Sequence, residues 1–226
     1  MLDFKLVGAL SPQVISSLIV IVFLSVVSIV VGLKIDKLKP TDVPKGIVFI
    51  VIMLTEMIRD MLKDNFPGKK LQVFGPYLFS VLIYLAFANT IALFGLVAPL
   101  SNVGVAMSFS IITFVMLKFA EMKYKGLKRK LHSVFLGEVW WLFPIMTPIN
   151  LIGEVSTPIT MGIRLFGNLI SGAVISTMIY TVLHWSLGIF AGVFIHAVFD
   201  VFFGLIQAFV FFMLSSVNIS MAADVS

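Results

Sequence analysis

The chain has 226 residues, 60% of them hydrophobic and 12% charged, with a formal net charge of +5 and a mean hydropathy of +1.11. Too few polar residues remain to cover a soluble core, so the composition predicts a polytopic, all-α integral membrane protein. The absence of cysteine excludes disulfides and thiolate metal sites, and the basic residues collect at the ends of apolar runs, which marks membrane topology rather than a nucleic-acid footprint.

Taken in order, the N-terminal MLDFKLVGALSPQV has no cluster of positive charge, and no small-residue cleavage motif follows it, so no cleavable signal peptide is expected. Residues 6–33 contain no charge, more than the ~20 residues a spanning helix needs. The first span is expected at 13–33, opened by Ser11-Pro12 and closed by Lys34, Asp36, Lys37 and Lys39. A basic loop over 34–76 follows. Within it GIVFIVIMLT, residues 46–55, is too short to span and leads into Glu56, Arg59, Asp60, Lys63 and Asp64. The stretch 44–65 therefore reads as an amphipathic or re-entrant helix at the membrane face, the alternative being a cytoplasmic helix packed on another subunit.

Leu71 to Leu117 is again free of charge, interrupted by GLVAPLSNVG at 95–104. This predicts a hairpin of spans over 77–96 and 103–121. A second basic loop covers 122–139, preceded and overlapped by the cluster KFAEMKYKGLKRK at 118–130. That cluster can bind acidic lipid or a partner, but it reads first as a topology signal. The loops at 34–70 and 118–130 carry eight and six Lys/Arg, and the turns near 97–102 and 184–188 carry none. The expected arrangement has the N-terminus outside and the C-terminus cytoplasmic.

The last part, 140–221, reads as a long hairpin turning at HWSLG. Its first arm, 140–184, would be ~65 Å long as one helix, about twice the ~30 Å hydrocarbon thickness, so it must break or tilt steeply. Pro144, Pro148 and Pro158 permit breaks, leaving 159–184 as the most continuous helix. The whole chain forms one membrane domain of about five spanning or steeply tilted helices plus one interfacial helix.

Residues 139–223 hold three charges, Glu154, Arg164 and Asp200. A cation in mid-span costs roughly 2.5–3.5 kcal/mol on insertion scales and is by default a functional-site hypothesis. Asn168, Ser171 and Gly172 extend a polar and small-residue stripe from Arg164 along one helical face. His196, Asp200 and Gln207, continued by Ser215 and Asn218, form a second stripe on the last segment. Two such stripes on adjacent antiparallel helices could face a common pathway. For Ser171, Ser215 and Asn218, interhelical hydrogen bonding is the simpler reading. Asp200 is the natural proton carrier, because the proton affinity of a carboxyl in hydrocarbon responds to desolvation and to a neighbouring cation. Glu154 lies between Pro148 and Pro158, near an element end that water can reach.

PINLIGEVSTPITMGIRLFGNLISG, residues 148–172, resembles the signature of subunit a of the F-type ATP synthase, with Arg-Leu followed by Asn four residues after the Arg. GLIQAFVFFML at 204–214 is similar to that family's C-terminal segment, and PYLFSVLIYLAFANTIALFG at 76–95 resembles it more loosely. The spelling RLFGN resembles bacterial and plastid members. The resemblance implies a non-catalytic, ion-translocating stator subunit with no cofactor. It also implies a hetero-oligomeric complex whose partners are a rotor ring of c subunits, peripheral-stalk b subunits and the lipid bilayer. Arg164 would face the ring carboxyl and separate two aqueous half-channels, assisted by Asn168 and Gln207. Relatives often carry Glu or His nine residues after the arginine, where this chain has Ala173, and His or Glu at the position of Asp200. Asp200 with His196, and Glu154, then become the candidate half-channel carriers. The competing readings are a membrane-embedded lipid-processing enzyme, with Arg164 gripping a phosphate, and a secondary transporter. The absence of a GxxxxGK[ST] loop agrees with a chain that does not itself bind nucleotide.

Overall fold

The computed structural model describes residues 11–38, 44–94, 96–125, 143–182 and 201–223, and these are helical, with no strand among them. Helix α1 (Pro12–Ile35) starts on a proline, whose fixed φ and missing N–H suit a first helical position. Most of its circumference is exposed apolar surface, from Ile15 to Leu33, with Ser16, Val20 and Val31 turned inward. That pattern suits a lipid-facing span.

Helices α2 (Ile47–Lys63) and α3 (Lys69–Thr90) each follow a glycine at positive φ, Gly46 at 64° and Gly68 at 63°. Only glycine takes that turn without steric cost. Along α2 the exposed residues change from Ile47, Phe49, Ile50 and Met53 to Glu56, Arg59, Asp60 and Lys63. Apolar and charged residues are thus segregated along the helix axis.

Helix α3 begins at Lys69 rather than at 77 and runs through Pro76. Charge-free sequence from Leu71 onward supplies the apolar surface, while Ser80 Oγ donates to the Pro76 carbonyl at 2.8 Å, the kind of hydroxyl bond that lets membrane helices carry proline. The helix stops at Thr90, and tight turns at Ile91–Phe94 and Pro99–Ser101 lead into α4 (Val103–Tyr124). Asn102 caps α4 by accepting the Gly104 N–H at 2.8 Å.

The expected breaks in the next arm do not occur. Helix α5 (Phe143–Val182) is 40 residues long and continuous across Pro144, Pro148 and Pro158. Pro144 lies in the first turn, where its N–H would have no intrahelical partner in any case. Around Pro158, Ser156 and Thr157 hydroxyls donate to the Gly153 carbonyl, and Ser110 of α4 donates to the Pro158 carbonyl. As one helix α5 is ~60 Å long, about twice the ~30 Å hydrocarbon thickness, and Ile152–Ile175 is its candidate span. Helix α6 (Gly204–Ala223) completes the bundle. Among the described residues five helices are long and apolar enough to cross a membrane: α1, α3, α4, Ile152–Ile175 within α5, and Val201–Ala223.

Helices α3 and α6 are antiparallel neighbours, joined at one end by Asn89 Nδ2 to the Gly204 carbonyl (2.8 Å) and at the other by Lys70 Nζ to the Ala223 carbonyl (2.9 Å). Lys125 Nζ reaches the Met221 carbonyl at 2.9 Å, so two ammonium groups satisfy the C-terminal carbonyls of α6 and complement its dipole. The core has two layers. One includes Leu85, Leu100, Ala106, Leu165 and Phe211. The other, nearer the basic end, includes Phe66, Phe74, Leu78, Phe212 and Ile219.

Candidate ion pathway

Helix α5 lies antiparallel along α4. Lys118 pairs with Glu154, Ser110 with Pro158, and Met107 packs on Gly162. A Cβ at Gly162 would collide with Met107 Sδ and lie 3.3 Å from Met107 Cα, so the glycine is what permits this approach. The contact sets which face of α5 turns inward: Met161, Gly162, Leu165 and Gly172 are buried, while Ile159, Ile163, Ile170 and Val174 form an exposed apolar stripe.

Arg164 stands on the border between those two faces and is exposed. Among the described residues it makes no hydrogen bond or ion pair. Asn168, one turn further and also exposed, donates from Nδ2 to Gln207 Oε1 at 2.7 Å. Gln207 is only 5% exposed, held in place because α6 buries the face containing Gly204, Ala208 and Phe211 against α3 and α4. The two stripes read from the sequence thus meet at Asn168–Gln207. The amide nitrogen of Gln207 and Oδ1 of Asn89 are buried with no hydrogen-bond partner among the described residues, so this level of the bundle is polar well inside its apolar surroundings.

Glu154 is brought to a different place. It lies ten positions before Arg164, ~15 Å along the helix axis, and is ion-paired with Lys118, which also reaches Glu121 at 3.1 Å. The side chains of Lys118 and Glu154 are 20% and 30% exposed. Ser215 hydrogen-bonds its own backbone at Phe211, and Ser171 is exposed on the Arg164 flank. Asp200, His196 and the HWSLG turn lie outside the described residues.

Sequence reasoning did not find the Lys118–Glu154 pair, because Lys118 reads as the first member of a topological cluster and nothing in linear spacing relates it to Glu154. It also passed over Asn89 as a site residue. A lone Asn in an apolar span was the available signal.

The helical membrane bundle, with an arginine in mid-span and an amide pair one turn away, was compared with known proteins. The family model described as the ATP synthase A chain matches residues 14–220. The chain belongs to this family, that of subunit a of the ATP synthase. It is 29% identical over 212 residues to ATP synthase subunit a 2 of Chlorobaculum tepidum, covering 89% of this chain and 59% of that relative. With the subunit a 2 of Chlorobium luteolum it shares 30% identity over 225 residues, covering 95% and 65%. With subunit a of Aliivibrio fischeri strain MJ11 it shares 29% over 231 residues, covering 93% and 84%. The chain spans about three fifths of the length of the first two relatives.

Proposed function

We propose that this chain is the ion-translocating stator subunit of an F-type ATP synthase, packed against a rotor ring of c subunits and held by peripheral-stalk b subunits. In this reading it performs no chemistry alone. The exposed stripe Ile159, Ile163, Ile170 and Val174 docks on the ring, and Arg164 at its edge meets each passing ring carboxyl. A fixed cation there favours the deprotonated carboxylate and repels a free cation or proton, which keeps two aqueous half-channels apart. Asn168 and Gln207 orient the helix around it. Asp200, with His196, carries protons in one half-channel. The N-terminus lies outside and the C-terminus in the cytoplasm of a bacterial plasma membrane.

The observation that carries this reading is Arg164, a guanidinium exposed in mid-span with no carboxylate partner among the described residues. Such a charge is costly unless a partner from another chain meets it. The Lys118–Glu154 pair counts against Glu154 as the base of a lipid-processing enzyme, since its carboxylate is already engaged by an ammonium.

The test is ATP-driven acidification of inverted membrane vesicles, native against Arg164→Ala at matched assembly. Loss of pumping in the variant supports the reading. Undiminished pumping overturns it.

A further inference from the structure

A cleft of about 410 Å³ opens between α2 and α3 at the basic end of the bundle. Its walls are Ile58 and Leu62 of α2 and Leu71 and Phe79 of α3, widened where Gly75 has no side chain, with Arg59 and Gln72 also lining it. We propose that this cleft binds an anionic phospholipid, one acyl chain lying between α2 and α3 and the phosphate held by Arg59.

Position is the first reason. The cleft spans the opening turns of α3, where Lys69 and Lys70 give way to the charge-free run beginning at Leu71, and this is where headgroups meet hydrocarbon. Charge is the second. Arg59 forms no ion pair among the described residues, although α2 carries two acids nearby, Glu56 and Asp60. At ~100° per residue, Glu56 and Asp60 lie on one flank of Arg59 whereas Thr55, Ile58 and Leu62 lie on the other, toward the cleft. Asp60 is taken by Lys63 at 2.6 Å. The guanidinium therefore lines an apolar cleft with its donors available, and Arg binds phosphate bidentately. Gln72, exposed on the first turn of α3, supplies an uncharged donor.

An extended acyl chain is narrower than a helix and can enter between α2 and α3.

The test uses the whole complex containing this chain, in vesicles of phosphatidylcholine doped with phosphatidylglycerol bearing a photoactivatable acyl chain. The control carries the same group on phosphatidylcholine. Cross-linked residues are mapped by mass spectrometry. The phosphatidylglycerol probe is expected to label residues 58–79 about fivefold more than the control, the factor that ~1 kcal/mol for one basic side chain at an anionic surface yields. Arg59→Gln should lower it to the control level. Gly75→Leu, which fills the cleft on a helix-favouring residue, should remove labelling by both probes. Equal labelling of the native complex by the two probes overturns the proposal, as does the absence of lipid label at residues 58–79. Should Gly75→Leu fail to assemble, the exposed Arg59→Gln decides alone. The readout is labelling rather than pumping, so its outcome is separate from that of the coupling role.

Discussion

Asn168 on α5 and Gln207 on α6 share a 2.7 Å amide hydrogen bond one turn from Arg164, and this bond fastens α5 to α6, the most buried of the described spans. Gln207 is fixed by the packing of α6, so the geometry around Arg164 is inherited from the core rather than from α5 alone.

A double-mutant cycle measures that inheritance. Asn168→Leu and Gln207→Leu, singly and together, should give a coupling of ~0.6–1.5 kcal/mol in thermal stability of the assembled complex, the range seen for interhelical polar contacts in membranes. Strict additivity of the two would show that the bond contributes nothing.

The ion-paired cluster on α4 and α5 is asymmetric. Lys118 serves both Glu121 and Glu154, so Lys118→Met takes one ammonium from two carboxylates, whereas Glu154→Gln leaves Lys118 with Glu121. The first is expected to lower stability by ~1–2 kcal/mol more than the second, below the figure for fully buried pairs because these side chains are partly exposed. Equal losses by denaturant titration would refute the shared-cation arrangement.

Two glycines permit close helix contacts by different margins. At Gly204 an added Cβ would lie 2.9 Å from Asn89 Cβ, an atom next to the backbone, and would strain the Asn89 to Gly204 carbonyl bond. At Gly162 the main collision is with the mobile end of Met107. Gly204→Ala should therefore cost ~1–3 kcal/mol, the scale of overpacking, and Gly162→Ala less. Met107→Ala should restore the latter, and assembly yields in membranes would register the order.

On the opposite side of the bundle, Ser17 Oγ and Tyr84 Oη are 2.7 Å apart, and the Tyr84 ring stacks on Phe109 at 4.7 Å. Tyr84→Phe should lose ~0.6 kcal/mol, while Tyr84→Ala also loses the stack and leaves a cavity, at ~3–5 kcal/mol. A thermal-shift series on the assembled complex separates the two contributions.

Much of this was legible in the linear sequence because a membrane imposes simple rules. Charge-free runs near ~20 residues became candidate spans, the short run before Glu56 became the separate helix α2, and Arg164, Asn168 and Gln207 stood out as polar residues in apolar segments. Proline was misleading. Pro76 and Pro158 read as boundaries but lie inside α3 and α5, since neighbouring helices and hydroxyl side chains can brace the weakened turns, as Ser110 does at Pro158.

Hydropathy and charge spacing placed the spans among the described residues and marked which residues are costly in lipid, and the RLFGN motif carried the family resemblance. Only the tertiary structure decided which of those polar residues meet. Asn168 joins Gln207 across 39 positions, Asn89 joins Gly204 across 115, and Glu154 goes to Lys118 rather than to Arg164. The reason is physical. Burial cost is a property of a single segment in lipid, whereas pairing depends on the register of packed helices, which small residues such as Gly162 and Gly204 set by allowing particular close approaches.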